Sequence, residues 1–353
     1  MQGGTVLMDT WIDTLKNYPL SRLQSSNNAE IRYLTLTDLL DIPPDDPEAV
    51  RERNAVAGSA EVAAIRSAMN AGGYWGSPGD SIKRFSGTLW QLMILLELGC
   101  SPDMPELRRA ASYLLDLNFD DTKKYLVSWK GTPQSPCYQA QILWTALAYG
   151  LAGDPRVASV ISWIRDNVEF HDGDDQVPDP DDRCLGRHTC IRAAVPLVQA
   201  LAAVPLELRD KKLSALLRAG TEFLLVHHVY KRSHNQAKPI SPYMTRLTFP
   251  GFYYPDALQI LYLLTGGGIF DARMADAIET VRKKQGSDGM WTLGREYNER
   301  KPGDTFPVIA GFGEKGAENE WITLRALITL KRWYERKEQS AHMSCFTVAS
   351  VLL

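Results

Sequence analysis

Apolar positions recur along this chain with the period of a helix. Five segments are apolar almost all round: SGTLWQLMILLELG (86–99), CYQAQILWTALAYGLAG (137–153), HTCIRAAVPLVQALAAVP (188–205), YPDALQILYLLTGGG (254–268) and ENEWITLRALITLKRWYE (318–335). A helix apolar on every face is buried on more than one side. Four of the five stop at Gly or Pro, as helices do. Between them lie segments with one apolar face, SAEVAAIRSAMNAG, MPELRRAASYLLDL, DPRVASVISWIRDNV, LRDKKLSALLRAGTEFLLVHHVY and DARMADAIETVRKKQG, which read as outer helices wet on one side. No segment carries the period-two alternation of a half-buried strand.

The chain therefore alternates outer helix and inner helix, the inner ones starting near 86, 137, 188, 254 and 318. A recurrence of this kind is the mark of repeated helical hairpins. MDTWIDTLKNY and AEIRYLTLTDLL supply a sixth. A row of such apolar helices would expose a large greasy surface if left open, so closure into one ring is expected. Residues 1–340 form that single domain, and 341–353, ending SCFTVASVLL, read as an apolar tail. In a ring every inner helix points the same way, and the inner N-termini gather at one mouth. There the free N–H groups and positive dipole ends favour anions and thiolates.

Bulk properties narrow the function. The chain has 353 residues, 44% of them hydrophobic, and a net charge of −3. That is ample for a large core and offers no basic face for nucleic acid. The opening MQGGTVLMDTWIDTL lacks the basic and apolar regions of a secretory signal, and no run is apolar enough to cross a membrane. The five cysteines are irregularly spaced and do not form a disulfide framework. A cytoplasmic, reduced protein is expected.

KKQGSDGMWTLG (283–294) resembles the Gln–Trp repeat motif of squalene cyclases, with Gln285, Gly289 and Trp291 in order, and NAGGYWGSPGD (70–80) resembles the same turn without its glutamine. With the hairpin spacing, most of residues 30–335 resembles stand-alone bacterial toroids of the terpenoid cyclase and protein prenyltransferase class. The resemblance implies an all-α, (α/α)6 toroid with a deep apolar cavity. It does not by itself imply a reaction.

The stretch DPDDRCLGRHTC (179–190) carries the densest chemistry. Asp179-Pro-Asp181-Asp182 matches the DxDD string of class II terpenoid cyclases, in which clustered carboxylates keep one acid protonated as a proton donor. Asp181 and Asp182 are the candidate catalytic acids; the same Asp- and Pro-rich run also reads as a solvated turn. The second chemistry is metal. His188-Thr189-Cys190 resembles the HTC of protein prenyltransferases, whose histidine binds zinc while a cysteine opening the previous inner helix supplies another ligand, here Cys137. The family's aspartate is replaced by Ser135, and Cys184 or Asp182 can stand in. Cys137, Cys184 and His188 are thus candidate ligands of a zinc ion. As plain structure, the same cysteines are ordinary core thiols.

Other residues converge on the expected mouth. Lys83, Arg84, Lys231 and Arg232 read as clamps for an anionic head group, or as solvated cations. His227, His228 and His234 share the loop of Lys231 and Arg232. Trp75, Trp90, Tyr253, Tyr254 and Trp321 read as an aromatic wall for a cationic or apolar substrate, or as packing. Asp256 and Glu320 read as substrate-facing acids, or as helix caps. The expectation is an isoprenoid-handling enzyme or binder, zinc-dependent, taking an apolar small molecule. A non-catalytic scaffold with a protein partner and a carbohydrate-active (α/α)6 enzyme are the alternatives.

Overall fold

The computed structural model describes residues 11–128, 130–173, 184–251, 254–295 and 312–340. The architecture is helical. In chain order the helices are α1 (Leu20–Gln24), α2 (Ala29–Leu34), α3 (Pro47–Ala55), α4 (Ala60–Ser67), α5 (Thr88–Glu97), α6 (Pro105–Asn118), α7 (Pro136–Ala148), α8 (Pro155–Asn167), α9 (Ile191–Ala203), α10 (Lys211–Val226), α11 (Ala257–Gly266), α12 (Ala275–Lys283) and α13 (Glu320–Ser340).

The two kinds of helix sort as their patterns require. In α5 every residue from Thr88 to Leu95 is buried. In α6 burial falls on Leu107, Ala110, Ala111, Leu114, Leu115 and Asn118, one stripe at helical spacing. Outer helices begin on strong start signals: Asp154 caps Arg156 N–H ahead of Pro155, and Asp210 caps Leu213 N–H. The inner helices α5, α7 and α9 pack in succession, as do α11 and α13, and the outer α6, α8, α10 and α12 lie against them. The N-terminal segment with α2 packs on α13, so the first hairpin meets the last helix. The buried apolar side chains form one continuous core.

Two tryptophan turns repeat the same construction. Trp75 Nε1 donates to Ile65 O at 2.7 Å, and Trp291 Nε1 donates to Val281 O at 2.7 Å, ten residues back in each case. Their backbone N–H groups donate to Thr88 and Thr323 at the start of the next inner helix. Gly73 and Gly289, two residues ahead, hold φ of +79° and +90°, which a side chain rarely tolerates. Gln285 adds a brace at the second turn, accepting from Lys16 N–H and donating to Asn17 O and Gly289 O. The first turn has Met69 at that place.

The structure adds two strand pairs that the periodicity does not predict. β1 (Phe119–Asp120) pairs antiparallel with β2 (Tyr125–Leu126), and β3 (Lys231–Arg232) with β4 (Asn235–Pro239). These are loop excursions too short, or in β4 too poor in large apolar residues, to show alternation. Among the described residues no helix is long and apolar enough to cross a membrane.

Candidate metal centre

The loop between α8 and α9 folds back on itself. Gly173 N–H donates to Arg187 O at 2.8 Å, and Thr189 N–H donates to His171 O at 2.8 Å, so Asp172 stands opposite His188 in a short antiparallel bridge. Directly opposed residues project to the same face. Gly173 is needed for this approach, because a Cβ there would sit 2.4 Å from Arg187 O.

The third member comes from α10. That helix stops at Val226, and His228 and Val229 take positive φ of 43° and 73°. His227, the residue at the turn, is fully buried. Its ring lies 4.3 Å from that of Phe223 and 5.1 Å from that of His188. Nε2 of His188 and Nε2 of His227 are 3.1 Å apart, and they lie 3.4 and 3.6 Å from Asp172 Oδ1. Among the described residues, this is the group of three His, Cys, Asp or Glu side chains whose ligand atoms all fall within 4.8 Å of one another.

The surroundings fix the chemistry of these atoms. His227 Nδ1 lies 2.8 Å from Phe223 O. A carbonyl only accepts, so Nδ1 carries the proton and a neutral ring leaves Nε2 bare, its lone pair aimed into the cluster. A backbone carbonyl behind a histidine is the usual support of a metal-binding imidazole. The C-terminal end of α10 adds negative potential, which favours a cation. Ser233 Oγ donates to Asp172 Oδ1 at 2.5 Å, and His234 Nε2 donates to Asp172 O at 2.9 Å, from the turn between β3 and β4. An open cleft of about 640 Å³ runs alongside, lined by residues 170–173 and 185–187.

Ligand atoms bonded to zinc at 2.0–2.1 Å in a tetrahedron are about 3.3 Å apart, whereas three on one face of an octahedron are nearer about 3.0 Å. The observed 3.1, 3.4 and 3.6 Å suit the tetrahedron. Two histidines and one carboxylate leave a fourth position for water or substrate.

Of the zinc set expected from sequence, His188 joins this cluster and the two cysteines do not. Cys137, in the first turn of α7, is hydrogen-bonded to Cys184 and lies 3.3 Å from Ser135 Oγ. The Cys184 hydrogen bond, against burial and with help from Ser135, the Tyr138 N–H and the Arg192 charge, holds the Cys137 thiol down to about 6. Asp172 and His227 were not legible as ligands. Asp172 lies in an Asp-rich run, His227 among cations, and the pairing that joins them spans three separate segments.

Of the residues expected at a common mouth, some are brought into contact with elements at neighbouring helix starts. Aromatic contacts run from Phe85 to Trp90, 5.4 Å, and from Trp90 to Tyr138 at the start of α7, 6.4 Å. Arg192 at the start of α9 lies 5.9 Å from the ring of Tyr254, which leads to α11. Trp321 stacks on Phe249 at 4.5 Å. Trp75 and Trp90 are wholly buried. Asp256 caps α11 through Gln259 N–H and accepts from Thr248; burial pushes its carboxyl up to about 6. Glu320 accepts from Ser26 Oγ at 2.6 Å. Lys231 pairs with Asp276 at 2.9 Å, and Lys83 pairs loosely with Asp80 at 3.8 Å in solvent. Arg84 is exposed and Arg232 half-buried. Asp181, Asp182 and Tyr253 lie outside the described residues.

No protein-family model matches the chain, and no curated protein or solved structure matches it. The likeness to terpenoid cyclases and prenyltransferases stands on the residues quoted for it.

Proposed function

We propose that Asp172, His188 and His227 bind one zinc ion, and that the protein uses it on an apolar, isoprenoid-like molecule at the inner-helix mouth of a closed helical ring. The observation that carries the metal reading is the convergence of three ligand atoms: His227 Nδ1 against Phe223 O turns Nε2 toward His188 Nε2, 3.1 Å away, and toward a carboxylate oxygen of Asp172. Such a zinc ion supplies a Lewis acid and lowers the pKa of a bound water or thiol. This chain's part is to hold the imidazoles in register, to keep Asp172 oriented through Ser233, and to leave the cleft open on one side.

Ring closure is supported by the packing of the N-terminal segment on α13 and by the repeated tryptophan turns. The isoprenoid class is supported by the likeness of those turns to the Gln–Trp motif and by the run of aromatic contacts near the inner N-termini. The scaffold reading expects no metal at all.

The test is metal content by elemental mass spectrometry on protein purified without a His-tag. About one zinc per chain is expected in wild type and in Cys137→Ser, and none in His227→Ala. Loss in Cys137→Ser with retention in His227→Ala would return the ligands to the cysteine set. Iron in place of zinc would change the chemistry to that of a non-haem iron site.

A further inference from the structure

Apart from the metal cluster, one pair of nucleophilic side chains stands out. Cys137 and Cys184 come from elements 47 residues apart in sequence, counting 184 − 137, and meet thiol to thiol. We propose that they form a reversible disulfide that ties the loop carrying His188 to the start of α7. The pairing does not depend on a metal being bound.

Each partner is suited to its part. Cys137 is held by the N-terminal turn of α7 between Ser135 Oγ and the Cys184 thiol, with the Arg192 cation nearby. Helix N-termini and arginines favour the thiolate, and only the thiolate is nucleophilic. Cys137 is itself buried; Cys184, in contact with it, is half-buried at the edge of a loop whose next three residues line the open cleft, which brings a small oxidant to the pair. That loop is braced but not helical: Cys190 N–H donates to Cys184 O, and Leu185 bridges Thr189. A loop of this kind can give the small shift that turns a thiol contact into a bond. Cys100 is the internal contrast. It is buried beside Met104, and burial pushes its thiol up to about 11.

The oxidant is a hydroperoxide. The Cys137 sulfur attacks one peroxide oxygen, the O–O bond breaks, and the departing hydroxide takes a proton to leave as water. The resulting sulfenic acid is attacked by the Cys184 sulfur. The S–O bond breaks, and hydroxide leaves with the Cys184 proton as a second water. Two thiols lose two electrons, and one hydrogen peroxide becomes two waters. A dithiol reverses the bond by two exchange steps and is itself oxidised.

The experiment uses the full chain, treated with hydrogen peroxide, alkylated, and mapped without reduction. The expected result is a linked peptide pair containing Cys137 and Cys184, abolished by dithiothreitol, with Cys100 still alkylated. Before oxidation, iodoacetamide is expected to modify Cys137 about tenfold faster than Cys100. In Cys184→Ser the link is lost and dimedone captures a sulfenic acid on Cys137. Full alkylation of both after peroxide, or bridging to Cys190 or Cys345 instead, would overturn the pairing. So would thiols that stay silent to both reagents until a chelator is added, which would make them metal ligands.

Discussion

The turn at Gln285–Trp291 and the cluster of Asp172, His188 and His227 are both buried polar assemblies, and they satisfy their atoms in opposite ways. In the turn every donor named above finds an acceptor: the Trp291 indole meets Val281 O, its amide meets Thr323, and Gln285 spans Lys16, Asn17 and Gly289. Nothing is left to bind. In the cluster, ligand-type atoms face one another. Nε2 of His227, Nε2 of His188 and Oδ1 of Asp172 converge, with Ser233 Oγ donating to that carboxylate oxygen and His234 Nε2 3.9 Å from it. Two imidazoles and a carboxylate whose ligand atoms all lie within 4.8 Å of one another form a donor set that favours a shared cation. The contrast separates scaffold from site.

The largest effect expected on the scaffold side comes from Trp291→Ala. Removing a wholly buried tryptophan and its hydrogen bond should cost about 3–5 kcal/mol in chemical denaturation, while the folded fraction keeps its zinc. Trp75→Ala should cost a similar amount. If either variant lost metal before it lost structure, the separation would fail.

The scaffold, here at Glu30 of α2, and the cluster should also answer pH with opposite signs. Glu30 is fully buried, and desolvation pushes its carboxyl up to about 7 despite Arg325 nearby. An unfolded glutamate ionises near 4.5, so the favourable burial of the neutral acid is complete below that pH and is lost as pH rises to about 7. Wild type should therefore lose up to about 3 kcal/mol relative to Glu30→Gln across that window. Zinc needs deprotonated ligands, so the stabilisation it confers should grow as pH rises. Urea titrations at pH 5 and 7, with and without zinc, separate the two.

A smaller effect is expected from Gln285→Ala. It removes the side-chain bonds of the second turn to Lys16 N–H and Asn17 O and should cost about 2 kcal/mol, with no change in zinc affinity. The first turn, with Met69 there, manages without the brace. The smallest effect is on the cluster side. Ser233→Ala removes the donor that orients Asp172 and should weaken zinc about tenfold by competition with a chelating dye, leaving stability in the absence of metal nearly unchanged.

The same contrast governs what the sequence discloses. Burial all round α5 and a single stripe on α6 are local properties, written in residues three and four apart, and the pattern reads them directly. The tryptophan turns are nearly as local, closing within ten residues. The cluster is not. His188 stands out through the likeness of His188-Thr189-Cys190, at the start of an apolar helix, to the prenyltransferase HTC, but Asp172 reaches it only through a backbone bridge, and His227 only because α10 ends at Val226 and turns. The zinc set built on Cys137 and Cys184 followed a likeness, whereas the fold pairs those sulfurs with each other. The two short strand pairs escaped because three of the strands have two residues each, and the fourth, NQAKP, offers no large apolar side chain to alternate.

The central claim is the ligand set, and cobalt(II) titration tests it most directly. Cobalt replacing zinc at Asp172, His188 and His227 should give visible bands of a tetrahedral ion with nitrogen and oxygen ligands, no thiolate-to-metal band in the near ultraviolet, and no signal in His227→Ala. A strong thiolate band that survives in His227→Ala and vanishes in Cys137→Ser would contradict the account.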